Sequence, residues 1–206
     1  MLNRIFDMDN PLMRALGGIC DLLVLNLLTV LCALPIVTTG AAFTALYDVL
    51  LRIVRREDDG VVRGFFRAFR SNLKKGSALG LIFLLAFAVL LVDYNLADAF
   101  APMLRVAVVA AALIVCATAL YAFALLARYE NTLLQTLKNA ATLSVAFFPR
   151  TLGLLVFTVA LWLLCLHFFT IALPVLLMFG LSLPAYIGAL LFDPMFQKLE
   201  SKEEDQ

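Results

Sequence analysis

The sequence predicts an all-α fold, a polytopic membrane bundle of about six transmembrane helices arranged as three hairpins with amphipathic interfacial helices between them. Three observations carry that expectation. Hydrophobic residues fill 64% of the 206 positions and charged ones only 15%, whereas soluble domains run at about half apolar and about a quarter charged. The apolar residues are gathered into four long blocks. Those blocks show none of the apolar/polar alternation of a membrane barrel, which leaves the helix as the way to satisfy backbone polar groups in lipid.

A spanning helix needs about 20 apolar residues at a rise of about 1.5 Å each. The first block, 15–51, contains only Asp21 and Asp48 as charges and is too long for one ordinary span. Two helices fit it, broken near Pro35, which cannot donate a backbone hydrogen bond, and followed by Thr38-Thr39-Gly40, residues suited to a turn or a cap. The returning helix, about 41–54, is short, so tilt or bilayer thinning is expected. Residues 77–92 give a third span ending at Asp93, and 106–127 a fourth without charge, with Ala101-Pro102 as the link between them. The last block, 151–192, contains no Lys, Arg, Asp or Glu; at about 63 Å if helical throughout it must fold back, and Pro174 marks the turn.

The expected organisation is therefore one membrane domain: hairpin 15–54, interfacial helix 61–75, hairpin 77–127, interfacial helix 131–148, hairpin 151–192 and a polar tail 193–206. With six spans and an inside start, Arg105 is the one cation of 16 Lys and Arg that falls outside, the split expected from the positive-inside rule. Both termini are then cytoplasmic. Reading 15–51 as a single span instead places the basic stretch 52–75 on the opposite face from the amino terminus. A cleavable signal peptide fits poorly, because Asp7 and Asp9 precede the first apolar stretch and the apolar run continues past Pro35.

In the first interfacial segment Val62, Phe65, Phe66, Phe69 and Leu73 recur at helical spacing, and Arg63, Arg67, Arg70 and Lys74 follow the same spacing on another face. The apolar face is expected to enter the headgroup boundary, with the four cations contacting anionic membrane lipid or a partner at about 1 kcal/mol each. The second segment places Leu134, Leu137, Ala141, Val145 and Phe148 on one face and is ended by Pro149. Each interfacial helix precedes a hairpin, and Thr44-Ala45-Leu46-Tyr47 recurs as Thr118-Ala119-Leu120-Tyr121, each followed by an Arg and a Glu: Arg55 with Glu57, Arg128 with Glu130. Ala185-Tyr186 occupies the comparable place in the third hairpin, which suggests a threefold repeat of amphipathic lead plus hairpin.

Ionisable residues at membrane depth cost about 2.5–3.5 kcal/mol at a helix centre and are often functional. Asp21, Asn26 and Asp48 form the candidate intramembrane polar cluster. Counting from a turn near Val37 puts Asn26 and Asp48 at similar depth on neighbouring helices, where a hydrogen bond could join them; such a lock competes with a substrate or proton site. Arg52, one turn beyond Asp48, can neutralise it. His167, the single histidine, sits alone among apolar residues and reads as a hydrogen-bonded packing residue. Cys20, Cys32, Cys116 and Cys165 lie in apolar runs without zinc or dithiol spacing. No phosphate-cradling glycine loop, His-Glu-x-x-His, Gly-x-Ser-x-Gly or paired intramembrane aspartate motif occurs. The expectation is a protein without catalytic residues, cofactor or metal, and its formal net charge of +1 does not suggest nucleic acid.

Asn26, Leu34-Pro35-Ile36 and Thr38-Thr39-Gly40-Ala41 resemble the first hairpin of the YesL-like family of small bacterial integral membrane proteins. Phe69-Arg70-Ser71-Asn72, the segment from Asn131-Thr132 through Leu137-Lys138-Asn139-Ala140 to Pro149-Arg150-Thr151, and Leu183-Pro184-Ala185-Tyr186 extend the resemblance over most of the chain. The tryptophan that many members carry in the first hairpin has no counterpart here, where Trp162 is the sole one. The resemblance implies residence in a bacterial plasma membrane and an accessory or regulatory role in carbohydrate uptake beside an ABC-type transporter permease; it implies no catalytic residue. A small transporter or channel in its own right, lined by Asp21, Asn26 and Asp48, is the competing expectation.

Overall fold

The computed structural model describes residues 11–57, 60–100, 102–167 and 178–204. Among them are eight α-helices: α1 (Pro11–Ala33), α2 (Thr39–Arg55), α3 (Val61–Ser71), α4 (Leu73–Phe100), α5 (Pro102–Arg128), α6 (Leu133–Ala146), α7 (Phe148–His167) and α8 (Ser182–Glu204). Four helical stretches are long and apolar enough to cross a membrane: Leu16–Ala33, Ile36–Arg55, Leu73–Leu96 and Leu104–Arg128. The bent pair α6–α7, turned by 95°, would make a fifth. The expected turn at Pro174 lies outside the described residues, as do Asp7 and Asp9.

The break between α1 and α2 falls where Pro35 predicts it. A single 3-10 turn, Ile36–Thr38, joins the helices. The Thr38 hydroxyl lies 2.7 Å from the Cys32 carbonyl oxygen and 2.9 Å from that of Pro35, and Thr39 Oγ1 donates to Ala33 O at 3.3 Å. Carbonyls left open at the end of a helix are thereby satisfied within the chain, while Leu34, Ile36 and Val37 face outward and are exposed. At the other end of α2, Arg56 adopts a left-handed conformation (φ 61°) and its N–H bonds to the carbonyls of Arg52 and Ile53, a C-terminal cap that turns the chain toward α3.

α2 is the central helix. It packs on α1, α3, α4, α5 and α8, and 56% of its span is buried against 17–28% for the other three. Its small residues permit this. Gly40 meets α4 backbone to backbone at Gly76 and Gly80: a Cβ on Gly40 would lie 2.7 Å from the Gly80 Cα. Close approach of this kind is how helices associate where lipid is as apolar as their side chains. Outside this centre, large apolar side chains stay exposed along α1, α4, α5 and α7, among them Leu85, Val89, Leu91, Val106 and Ile114. That is the surface expected where lipid is the solvent.

Several expected boundaries move. α4 starts four residues earlier than the span 77–92 and runs on to Phe100, and α5 extends the span 106–127 at both ends. The segment 193–206, expected as a polar tail, instead continues α8 to Glu204, with Asp193, Met195 and Phe196 buried. The reason is a ring cluster: Phe192 lies against Tyr121 at a tilt of 41° (centroids 4.4 Å) and contacts Tyr47 (6.3 Å), and Phe196 meets Tyr129 edge-on (5.8 Å).

The two amphipathic helices match expectation only in part. In α3 the stripe Val61, Gly64, Phe65 and Ala68 is buried, with Gly64 against Val49 of α2, so Phe65 belongs to the bundle and not to the headgroup boundary. Val62 and Phe66 remain exposed on a second stripe. In α6 the buried face is Thr136, Ala140 and Ser144, packed toward α5; of the expected apolar face Leu134 and Val145, with Phe148 at the start of α7, point outward, while Leu137 is half-buried against the core. Small and weakly polar residues make the closest helix contact here, as in helix association where lipid is the solvent, and the outward apolar residues lie where an apolar face directed at lipid is expected. Pro149 lies inside α7, at its second residue, a first-turn position where its missing N–H costs nothing.

Candidate functional site

A buried charged cluster forms where the ends of α2 and α5 meet the middle of α8. Asp193 of α8 accepts a hydrogen bond from Arg55 Nε at 2.8 Å and from Arg128 Nη1 at 2.9 Å, both at Oδ1, while Gln197 Nε2 donates to Oδ2 at 2.8 Å. The Asp193 and Arg128 side chains are only 7% and 8% exposed. The Arg128 guanidinium also stands 5.4 Å from the centre of the Phe196 ring and 5.8 Å from that of Tyr129. One carboxylate in the middle of α8 thus holds the ends of α2 and α5, tying together helices from all three expected hairpins, with aromatic rings beside the clamp.

The segments that match in sequence make similar contacts. Tyr47 and Tyr121 both pack on Phe192; Thr44 and Thr118 each return a hydroxyl to the carbonyl four residues back, at 2.8 Å. Arg128 follows Tyr121 by seven residues and Asp193 follows Tyr186 by seven, while Arg55 follows Tyr47 by eight. An acid thus stands after Tyr186 where bases stand after Tyr47 and Tyr121. Sequence reasoning missed Asp193 by assigning it to a solvated tail; the register of the tyrosines was the signal that could have found it.

The three residues expected to form an intramembrane cluster have different surroundings. Asn26 is fully buried, and its Oδ1 accepts from the backbone N–H groups of Leu181 (2.8 Å) and Ser182 (3.0 Å). It caps the start of α8 from α1, supplying the acceptor that the first helical N–H groups lack. Asp48 pairs with Arg52 one turn away at 3.0 Å and makes no hydrogen bond to Asn26. Asp21 is half-buried on α1. Of the expected basic face, Arg63, Arg67, Arg70 and Lys74 are all exposed on or just beyond α3.

Where α6 turns into α7, Thr151 Oγ1 lies 2.9 Å from the Tyr121 hydroxyl and 3.1 Å from the carbonyl oxygens of Ser144 and Phe147, tying the bend to α5. His167 is exposed at the end of α7. Cys20, Cys32 and Cys116 are free thiols; the Cys165 side chain lies outside the described residues. Among the described residues no three His, Cys, Asp or Glu side chains converge as a metal site.

A polar cavity of about 670 Å3 opens beside the clamp, between the α3–α4 junction and the end of α5, and reaches Asp48. A second, of about 270 Å3, lies on the other side of Asp48 and Arg128 and is lined by Arg52, Arg55 and Glu57. Asn26 lines neither.

The helices and their exposed apolar surface are consistent with the class of polytopic α-helical membrane proteins. Within that class, residues 22–94 match a family model described as "Protein of unknown function, DUF624", a stretch that runs from α1 to α4 and takes in Asn26, the Pro35 turn, the Gly40 contact and α3. No curated protein and no solved structure matches the chain.

Proposed function

We propose that the chain is a non-enzymatic integral membrane protein of a bacterial plasma membrane, acting as an accessory or regulatory component beside a carbohydrate transporter. In this reading its three hairpins, with both termini cytoplasmic, form a docking body and not a conduit. The observation that carries it is that three buried polar side chains are held in internal contacts: Asn26 caps α8, Asp48 neutralises Arg52, and Asp193 clamps Arg55 and Arg128. The sugar link and the bacterial location come from the YesL-like resemblance of the first hairpin, α3 and the Leu183-Pro184-Ala185-Tyr186 segment.

Two experiments test the reading. In vivo cross-linking from the exposed face of α3 should capture a transporter permease as the main product, and capture of self-contacts alone refutes docking. A deletion strain should grow poorly on at least one oligosaccharide of a panel; unchanged growth on all removes the sugar link.

The transporter alternative keeps one supporting observation, the polar cavity that reaches Asp48. Uptake of a labelled saccharide by vesicles holding this protein alone would favour it.

A further inference from the structure

We infer that the paired cavities at the charged end of the bundle form a binding site for a phosphate-bearing anion. Their walls are shared at Asp48, Ala127 and Arg128, so they make one trough running from the α3–α4 junction past the end of α5 to the end of α2. Along it stand six cations: Arg52, Arg55 and Arg128 on the helix ends, Arg70, Lys74 and Lys75 at the junction. Facing them are the carboxylates of Asp48, Glu57 and Glu130, with Asp193 behind the wall.

Among the described residues the trough therefore carries an excess of two positive charges, which matches a phosphate monoester at about −1.5 to −2 near neutral pH.

The internal pairs locate where that excess acts. Asp48 is committed to Arg52, and Asp193 to Arg55 and Arg128. Arg70, Lys74 and Lys75 remain to meet a ligand. They are exposed, and Lys75 makes only a long 3.4 Å contact with the Asn131 carbonyl oxygen. At the other end of the trough Arg55 Nη2 is buried with no hydrogen-bond partner among the described residues. A buried guanidinium N–H without an acceptor is costly, and a phosphate oxygen is the acceptor its fork geometry suits. Ser71 and Asn72 line the same cavity, but their donors are turned to the Ala68 carbonyl oxygen and, from Asn72, to the Ser71 hydroxyl, which leaves the cations to hold the anion.

This chemistry has two sources, the headgroup of an anionic phospholipid and a soluble phosphate or phosphate ester, and the site holds whether or not the chain touches a transporter.

The test uses the full-length chain in phosphatidylcholine nanodiscs, with and without phosphatidylglycerol, read by native mass spectrometry for retained lipid and by calorimetric titration with inorganic phosphate. Lys74→Gln/Lys75→Gln should weaken binding at least about tenfold, while the exposed Lys138→Gln should leave it unchanged. Retention of phosphatidylglycerol over phosphatidylcholine, displaced by phosphate, assigns the lipid source. Phosphate binding without lipid preference assigns the soluble one. Both support the site. Because these lysines are exposed, the variants are expected to elute and melt as the parent does; a folded double variant that binds like the Lys138 variant, or a parent protein that binds neither probe, overturns the inference.

Discussion

Removing the acid that joins the three helices gives the sharpest test of how this bundle is held together. Asp193→Leu deletes both ionic contacts, at 2.8 and 2.9 Å, and leaves Arg128 facing low-dielectric surroundings with its side chain 8% exposed. Breaking a buried pair from one side costs about 3–5 kcal/mol, because the surviving charge is uncompensated. Arg55 is 25% exposed and can turn toward water, so the cost sits mainly on Arg128. At about 2–4 °C per kcal/mol for a chain of this size, the melting temperature in detergent should fall by roughly 10 °C. Arg128→Leu should cost less than Asp193→Leu, since Asp193 keeps Arg55 and Gln197. The double variant Asp193→Leu/Arg128→Leu should recover part of the loss, with a coupling of about 1–3 kcal/mol. Fluorescence-detected gel filtration after heating reads all three. A shift under about 2 °C for Asp193→Leu, or strict additivity in the cycle, would refute the clamp.

Other expectations follow from the same geometry. Gly40→Ala should destabilise by about 1–3 kcal/mol, because its Cβ would meet the α4 backbone, whereas Gly64→Ala, whose nearest neighbour is Val49 Cγ2 at 3.5 Å, should change stability by under about 0.5 kcal/mol; equal melting temperatures would remove the Gly40 contact. Asn26→Ala should cost about 0.5–2 kcal/mol through loss of the α8 cap, seen as faster amide exchange at Leu181 and Ser182, and unaltered exchange there would exclude capping. Tyr121→Phe should cost about 1 kcal/mol by breaking the hydroxyl contact with Thr151, and no melting shift would show that the α6–α7 bend does not depend on it. Reporter fusions should place residues near 57 and the carboxyl terminus on one face of the membrane; opposite faces would defeat the three-hairpin reading.

Much of the secondary structure was legible in the residues themselves. Pro35 with Thr38-Thr39-Gly40 marks the first break, and the charge-free stretch before Arg128 marks α5, because proline removes a donor and lipid demands an unbroken apolar helix whatever the neighbours do. The faces of α3 and α6 were legible only in part. Apolar periodicity identifies two sides of a helix, but when the solvent is lipid it does not say which apolar residues meet protein: Phe65 of α3 and Leu137 of α6 pack on the core while Phe66, Val145 and Phe148 face outward. Depth counting was equally blind to partners. It set Asn26 beside Asp48, whereas the bundle brings the start of α8 to Asn26 from 155 positions away.

What the sequence determined by itself is the class of structure: an all-helical chain with several stretches long and oily enough to cross a bilayer and basic residues at their ends. Composition and proline placement act locally, so they can be read one residue at a time. Only the tertiary structure decided that Asp193 is buried, that it meets Arg55 and Arg128, and that a cationic trough opens beside them. Those facts depend on distances between residues 65 and 138 positions apart, which are set by how helices pack and by the backbone contact that the glycines at 40, 76 and 80 allow.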